Sequence, residues 1–311
     1  FGLGQPIADA IKLLFKEDFI PPYVHKAFYV LAPVIPVITG LAVTVGIPWG
    51  SYLIVNNQIV HLQAVNTNAG FLLIFALGSL TVYGVTLAGW SSNNKYSLLG
   101  GLRASAQMIS YEVAMGLSII PLVFIWGTLD LQLIISHQSE ILWGFLPNWG
   151  FFHAPVSFFI FLITIFAETN RLPFDLAESE GELVAGFLTE YGAMRWSLFF
   201  LGEYSMMFVL SVLTISLFFG GYEIPWISQQ TILEYLNPYV SEIVGRWILF
   251  FVGFATLMLK VIVLMWLFIQ VRFTVPRFRY DQLMKLGWVY LLPIALVNLV
   301  VIAIIDALIK F

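Results

Sequence analysis

Glu168, Asp175, Glu178, Glu180, Glu182 and Glu190 fall within the 24 residues ETNRLPFDLAESEGELVAGFLTEY. These six are a third of the eighteen acidic residues in the chain. Asp175, Glu178 and Glu182 stand at i, i+3 and i+7, which on a helix is one face. Carboxylates this close cannot all ionise freely. Some are expected to hold protons near neutral pH and to release them when a neighbouring charge changes, which suits proton handling. Arg171 precedes Asp175 by four residues and pairs with it if that turn is helical, an arrangement that Pro173 opposes. A solvated acidic loop is the plain alternative. Against it, Leu183, Val184, Phe187, Leu188 and Tyr191 are interleaved with the acids, so the stretch is expected to pack against protein or membrane.

Four more ionisable residues lie in or beside long apolar runs: Glu112, Glu203, Lys260 and Asp306. Charges at membrane depth are costly and tend to be functional. Glu203 and Lys260 read either as a buried pair that holds helices together or as part of a proton path. Asp306, near the end of the last run, reads as an interfacial residue. Two further polar connections are basic and aromatic. Residues 91–112 bring Lys95, Arg103 and Glu112, and 272–288 bring Arg272, Arg277, Arg279, Asp281 and Lys285. With 168–195 they could meet as one polar site at the mouth of an apolar tunnel, suited to a ligand with a greasy tail and a polar head. Cysteine is absent, and the four histidines show no ligand spacing. No metal site is expected here, and electron carriers would belong to other chains.

These side chains need a membrane to hold them. Of 311 residues, 60% are hydrophobic and 10% charged, against roughly 25% charged in ordinary globular domains. Seven apolar runs are long enough, or nearly so, to span a bilayer: about 27–49, 68–90, 109–128, 154–169, 196–220, 245–271 and 286–308. The fourth is short if it stops before Glu168. Eleven of the fourteen Lys and Arg residues fall on one side of these spans, which predicts that the N-terminal segment and the acidic stretch face the cytoplasm, matrix or stroma. Residues 5–18 place Ile7, Ala10, Ile11, Leu14 and Phe15 on one face, with Asp9, Lys12 and Lys16 elsewhere. That pattern fits an interfacial amphipathic helix or an ordinary lead-in helix. No internal repeat is visible. The expected fold is all-α and polytopic, one integral membrane domain over 1–311. It comprises an amphipathic segment 1–26 and a bundle 27–308 with charged loops 91–112, 168–195 and 272–287. The net charge of −4 is too small to say anything about partners, and no basic runs point to nucleic acid.

Four motifs carry a resemblance: FGLGQPIADAIKLLFKED (1–18), KYSLLGGLRASAQMISYE (95–112), ETNRLPFDLAESEGELVAGFLTEY (168–191) and PRFRYDQLM (276–284). They fall in order over nearly the whole chain. The chain resembles the family of membrane subunits, called subunit 1 in mitochondria, of proton-pumping NADH:quinone oxidoreductase, respiratory complex I. That resemblance implies eight spans, the first preceding Phe1, which agrees with the missing initiator Met. It implies a quinone chamber that takes the tail from the membrane, and a proton route from the chamber toward antiporter-like subunits. By position, Asp9 and Lys12 match the quinone-access helix. Arg171, Asp175, Glu178, Glu180, Glu182 and Glu190 match the chamber and coupling loop. Arg277, Arg279 and Asp281 match the basic loop that supports the quinone site. Glu112, Glu168 and Glu203 match the proton path, to which Lys260 is added from its place in a span.

The same resemblance implies quinone as substrate, with FMN and iron–sulfur clusters in partner subunits. The partners would be the hydrophilic-arm subunits at the quinone site, the small and antiporter-like membrane subunits, and the bilayer. The location would be the bacterial cytoplasmic membrane, with the charged loops on the cytoplasmic side. The family usually has Pro where Ala177 stands, and Gly181 is also a departure, but all three loop glutamates are kept. A ferredoxin-dependent or hydrogenase-type relative is the alternative, since the donor binds elsewhere. A stand-alone ion transporter is disfavoured by the absent repeats and the one-sided charge.

Overall fold

The computed structural model describes every residue except 1, 3, 56, 57, 66, 143, 177–183, 228, 237, 239 and 311; for 6, 230, 236, 309 and 310 it describes the backbone. Eight helical stretches frame the described residues. They are α1 (Gln5–Phe15), α2 (Lys26–Gly46), α3 (Gly70–Ser91), α4 (Lys95–Trp126), α5 (Pro155–Glu168), α6 (Ala193–Phe218), α7 (Glu242–Thr274) and α8 (Tyr280–Leu308). All but α1 and α5 are long and apolar enough to cross a membrane. The chain is an all-α polytopic membrane protein, and its only described strands form two short hairpins, Tyr52–Val55 with Gln58–His61 and Ile141–Leu142 with Leu146–Pro147.

Two boundaries differ from the sequence reading. The fourth expected span is α5, only 14 residues long, or roughly 21 Å against a hydrocarbon core of roughly 30 Å. The chain breaks at Ala154, where Pro155 starts a new helix. α5 is buried along most of its length, from Ser157 to Glu168, so its neighbours bridge what it cannot. The second difference is that 95–112 is not a loop. Asn94 caps α4 by accepting from the Tyr96 backbone N–H at 3.0 Å, and the helix runs unbroken to Gly127, whose φ of +67° closes it.

Close helix crossings explain that extension. Gly89 of α3 meets Gly101 of α4 so tightly that a Cβ on Gly89 would lie 2.7 Å from the Ser97 carbonyl oxygen. Small residues at such crossings let backbones pack where no solvent drives association. α4 packs against α3, α5 and α8, while α6 packs against α2, α5 and α7. α4 and α6 are therefore the central pair, and α7 and α8 leave most of their surface to lipid or to other subunits.

The long connection 129–153 also finds a reason. Leu131, Ile134 and Ile135 of the short helix Leu131–His137 are fully buried. Beside them, buried Gln138 donates to the Ser216 carbonyl at 2.9 Å and accepts from the backbone N–H groups of Gly150 and Gly220 at 3.1 and 2.9 Å. This segment is a plug that satisfies the frayed end of α6.

Candidate functional site

At the opposite end of α6 and α7 lies a cavity of about 240 Å³, lined by Arg171, Tyr204, Met207, Met265, Phe268, Ile269 and Arg272. Its body is thioether, aromatic and aliphatic, and two guanidinium groups stand on its wall. Arg171 lies over the Tyr204 ring, 4.2 Å from its centroid, and its Nη2 is 3.6 Å from Glu203 Oε2. That distance is an ion pair but not a hydrogen bond. The buried Nε and Nη2 of Arg171 have no hydrogen-bond partner among the described residues. A guanidinium held in place by charge and stacking, with donors uncommitted, is prepared for an oxygen-bearing guest.

Asp175 sits beside it. Arg277 donates to Asp175 Oδ2 at 3.1 Å, and the Phe278 backbone N–H donates to the Pro173 carbonyl at 3.2 Å. Burial pushes the Asp175 carboxyl up, while Arg277, Arg171 and Arg272 pull it back. The Arg171–Asp175 pair, which required a helical turn here, does not form. Residues 171–176 are not helical, so Arg171 turns to Glu203 and Asp175 to Arg277. For the same reason Asp175 does not begin a helical acidic face. Glu178, Glu180 and Glu182 lie outside the described residues.

Gln107 of α4 holds this segment from below. Fully buried, it donates to the carbonyls of Ala167 and Phe174 at 2.8 and 2.9 Å and is 3.2 Å from Asn170 Oδ1. Tyr111 donates to the Leu283 carbonyl at 2.8 Å, and Trp288 donates to Ser110 Oγ at 3.0 Å. The three polar connections expected to converge do so, with α4 as their common support.

Behind Arg171 the carboxylates continue. Glu168 and Glu203 both face a cavity of about 20 Å³, shared with Thr81, Asn170 and Met108, which is room for a single water. Glu168 is 6% exposed, and its Oε2 has no hydrogen-bond partner among the described residues. Half-buried Glu112 is close enough to Glu168 for the two to repel.

The other expected residues lie elsewhere. Glu190 accepts from Tyr23 at 2.5 Å and from Asn94 at 2.8 Å, so it ties the N-terminal segment to the start of α4. Arg279 and Asp281 pair with each other at 3.1 Å, both largely exposed. Asp9 and Lys12 are on exposed α1, where Asp9 accepts from Gln5 at 3.0 Å. Ile7, Ile11, Leu14 and Phe15 of that helix are all exposed as well, as an interfacial helix requires. Lys260 does not reach Glu203: its Nζ donates to the carbonyls of Phe219, Gly221 and Glu223 at 2.8, 2.9 and 2.9 Å. Asp306 is near the C-terminal end of α8.

Three residues here escape a reading by charge and motif. Gln107 and Tyr204 carry no charge, although a glutamine in an apolar helix is itself a signal of a polar contact. Glu223 sits in GGYEIPW, which reads as an ordinary turn.

A family model described as NADH dehydrogenase matches residues 1–303. An NADH-quinone oxidoreductase subunit of Cytophaga hutchinsonii is 44% identical over 301 residues, covering 97% of this chain and 83% of its own. The corresponding NADH-quinone oxidoreductase subunit of Salinibacter ruber is 47% identical over 302 residues, covering 97% and 83%. NADH-quinone oxidoreductase subunit 8 of Rhodothermus marinus is 46% identical over 302 residues, covering 97% and 84%.

Proposed function

The chain belongs to the NADH dehydrogenase family, and from that membership we propose that it forms the quinone chamber of a proton-pumping NADH:quinone oxidoreductase. The observation that carries the reading is Arg171, stacked on Tyr204 with buried, uncommitted donors at the wall of the 240 Å³ apolar cavity. The Met and Phe side chains accept an isoprenoid tail by apolar contact, and the guanidinium donates to a quinone carbonyl. Arg272 shares the wall, and the Arg277–Asp175 pair lies close enough to Arg171 and Arg272 for Asp175 to feel both charges.

Quinone reduction takes up two electrons and two protons. The electrons would be supplied by iron–sulfur clusters and a flavin held in partner subunits, since this chain has no cysteine to ligate a cluster. Negative charge growing on the quinone oxygens competes with Glu203 for Arg171. Glu203, less well balanced, then takes a proton across the water-sized cavity from the side of Glu168 and Glu112. Glu178, Glu180 and Glu182 follow Asp175 closely in sequence and would border the route. In this reading the whole chain, 1–311, works as one membrane-embedded unit beside hydrophilic-arm and antiporter-like subunits. It lies in the bacterial cytoplasmic membrane with its basic connections facing the cytoplasm, which the one-sided Lys and Arg distribution supports.

The test is Arg171→Gln in membranes containing the assembled complex. NADH oxidation with an artificial acceptor should persist, while the quinone reductase rate falls on the order of tenfold or more, as for loss of a charge-assisted hydrogen bond. A quinone reductase rate equal to wild type in a fully assembled variant would contradict the proposal.

A further inference from the structure

The far end of α7 holds a second polar cavity, separate from the Arg171 site. Arg246 lies there, roughly 39 Å along the helix from Arg272. The cavity is about 470 Å³, and its walls include Ser51, Tyr52, Glu140, Tyr222, Gln229 and Arg246. Arg246 lies 4.0 Å from the centroid of the Tyr52 ring and 3.7 Å from Glu242. Glu223 is also part of this wall, yet it is 7% exposed and its Oε2 has no hydrogen-bond partner among the described residues.

The chain reaches inward at this point. Gly220 and Gly221 have φ of +72° and +51°, and a Cβ on Gly221 would lie 2.7 Å from Ile135. Only glycine makes that turn at that distance. The turn points three carbonyls, from Phe219, Gly221 and Glu223, at Lys260 Nζ. Lys260 is near the middle of α7, and roughly one and a half turns (roughly 8 Å) separate it from Met265, which lines the Arg171 cavity. A polar vestibule thus runs from the Arg246 end of the molecule to a buried carboxylate near a half-buried ammonium, inside the membrane-spanning bundle.

We propose that Glu223 is a proton-exchange site, loaded and emptied through this vestibule from the face opposite the Arg171–Asp175 cluster, with Lys260 as its electrostatic partner. Its chemistry is proton transfer alone. Water in the vestibule protonates the Glu223 carboxylate, which leaves the Lys260 charge held by the three carbonyls; loss of the proton restores a carboxylate in the field of the Lys260 ammonium. Burial pushes the Glu223 carboxyl up to about 7, while Lys260 opposes the rise. Arg246 from α7, Tyr52 from the hairpin, Glu140 from the plug segment and the neighbouring Tyr222 share the cavity wall with Glu223, while Glu242 stands behind Arg246 and Asp130 acts on Tyr222. The inference does not depend on where quinone binds.

The assembled complex in closed vesicles provides the test, with pH clamped on the side of Arg171 and varied on the vestibule side. The wild-type rate should change with an inflection near pH 7. Glu223→Gln should flatten that response to less than roughly twofold, because an amide binds no proton in this range, and Glu223→Asp should keep an inflection. A wild-type response without an inflection, or a Glu223→Gln response with the wild-type one, would overturn the proposal. Should Glu223→Gln fail to assemble, the wild-type complex can be treated with a water-soluble carbodiimide and glycine methyl ester. Glu223 should be modified from the vestibule face and not from the other; no modification from that face would also overturn it.

Discussion

Glu203 is the residue on which coupling turns, because it answers to both sides of the site. Arg171 is 3.6 Å away in one direction, and the single-water cavity shared with Glu168 lies in the other. A carboxamide at 203 keeps the shape and removes the exchangeable proton. Glu203→Gln should therefore assemble and bind quinone, yet lose at least part of the proton-to-electron ratio, measured as proton uptake against NADH oxidised in sealed vesicles. An unchanged ratio at an unchanged rate would make the Arg171–Glu203 pair a purely structural contact. The charges at this scale are legible from the chain, since each ionisable residue in an apolar run has to be explained. Their partners are not. Glu203 and Lys260 are equally plausible mates in sequence, and only the turn at Gly220–Gly221 sends Lys260 to Glu223 and its neighbouring carbonyls.

Among the helices, α4 organises the site. Its sequence reads as an apolar span beginning near 109, since its first turns carry Lys95, Arg103 and four glycines or serines that look like a loop. Those same small residues let it dock on α3 and on the 186–188 turn, where a Cβ on Gly100 would lie 2.6 Å from Gly186 Cα. Propensity is outweighed by packing. The consequence is that Gln107 sits on a rigid helix beneath Ala167, Asn170 and Phe174. Gln107→Leu should take one donor from each of two buried carbonyls, which keep only the backbone N–H groups of Asn170 and Leu176 at 3.4 and 2.9 Å, at a cost of about 0.5–1.5 kcal/mol per hydrogen bond lost. The expected outcome is a lower thermal midpoint of the assembled complex and a raised KM for quinone. A variant with both unchanged would show that the 167–174 segment holds its shape unaided.

The whole molecule presents two polar ends joined by α6 and α7, with lipid-facing surface between them. The membrane class follows directly from composition, and the seven apolar runs map onto six long helices and the short, buried α5. What composition cannot supply is the assembly of each polar end, because it arises from contacts between segments far apart in sequence, such as Arg277 with Asp175, 102 residues away. The central claim is that the space between α6 and α7 receives the quinone. A photoreactive quinone with a short isoprenoid tail, illuminated in the assembled complex, tests it directly. The cross-linked peptides should contain Tyr204–Met207 or Met265–Arg272, and excess unmodified quinone should abolish them. Cross-links confined to peptides outside these two segments, and equally competed by quinone, would contradict the account.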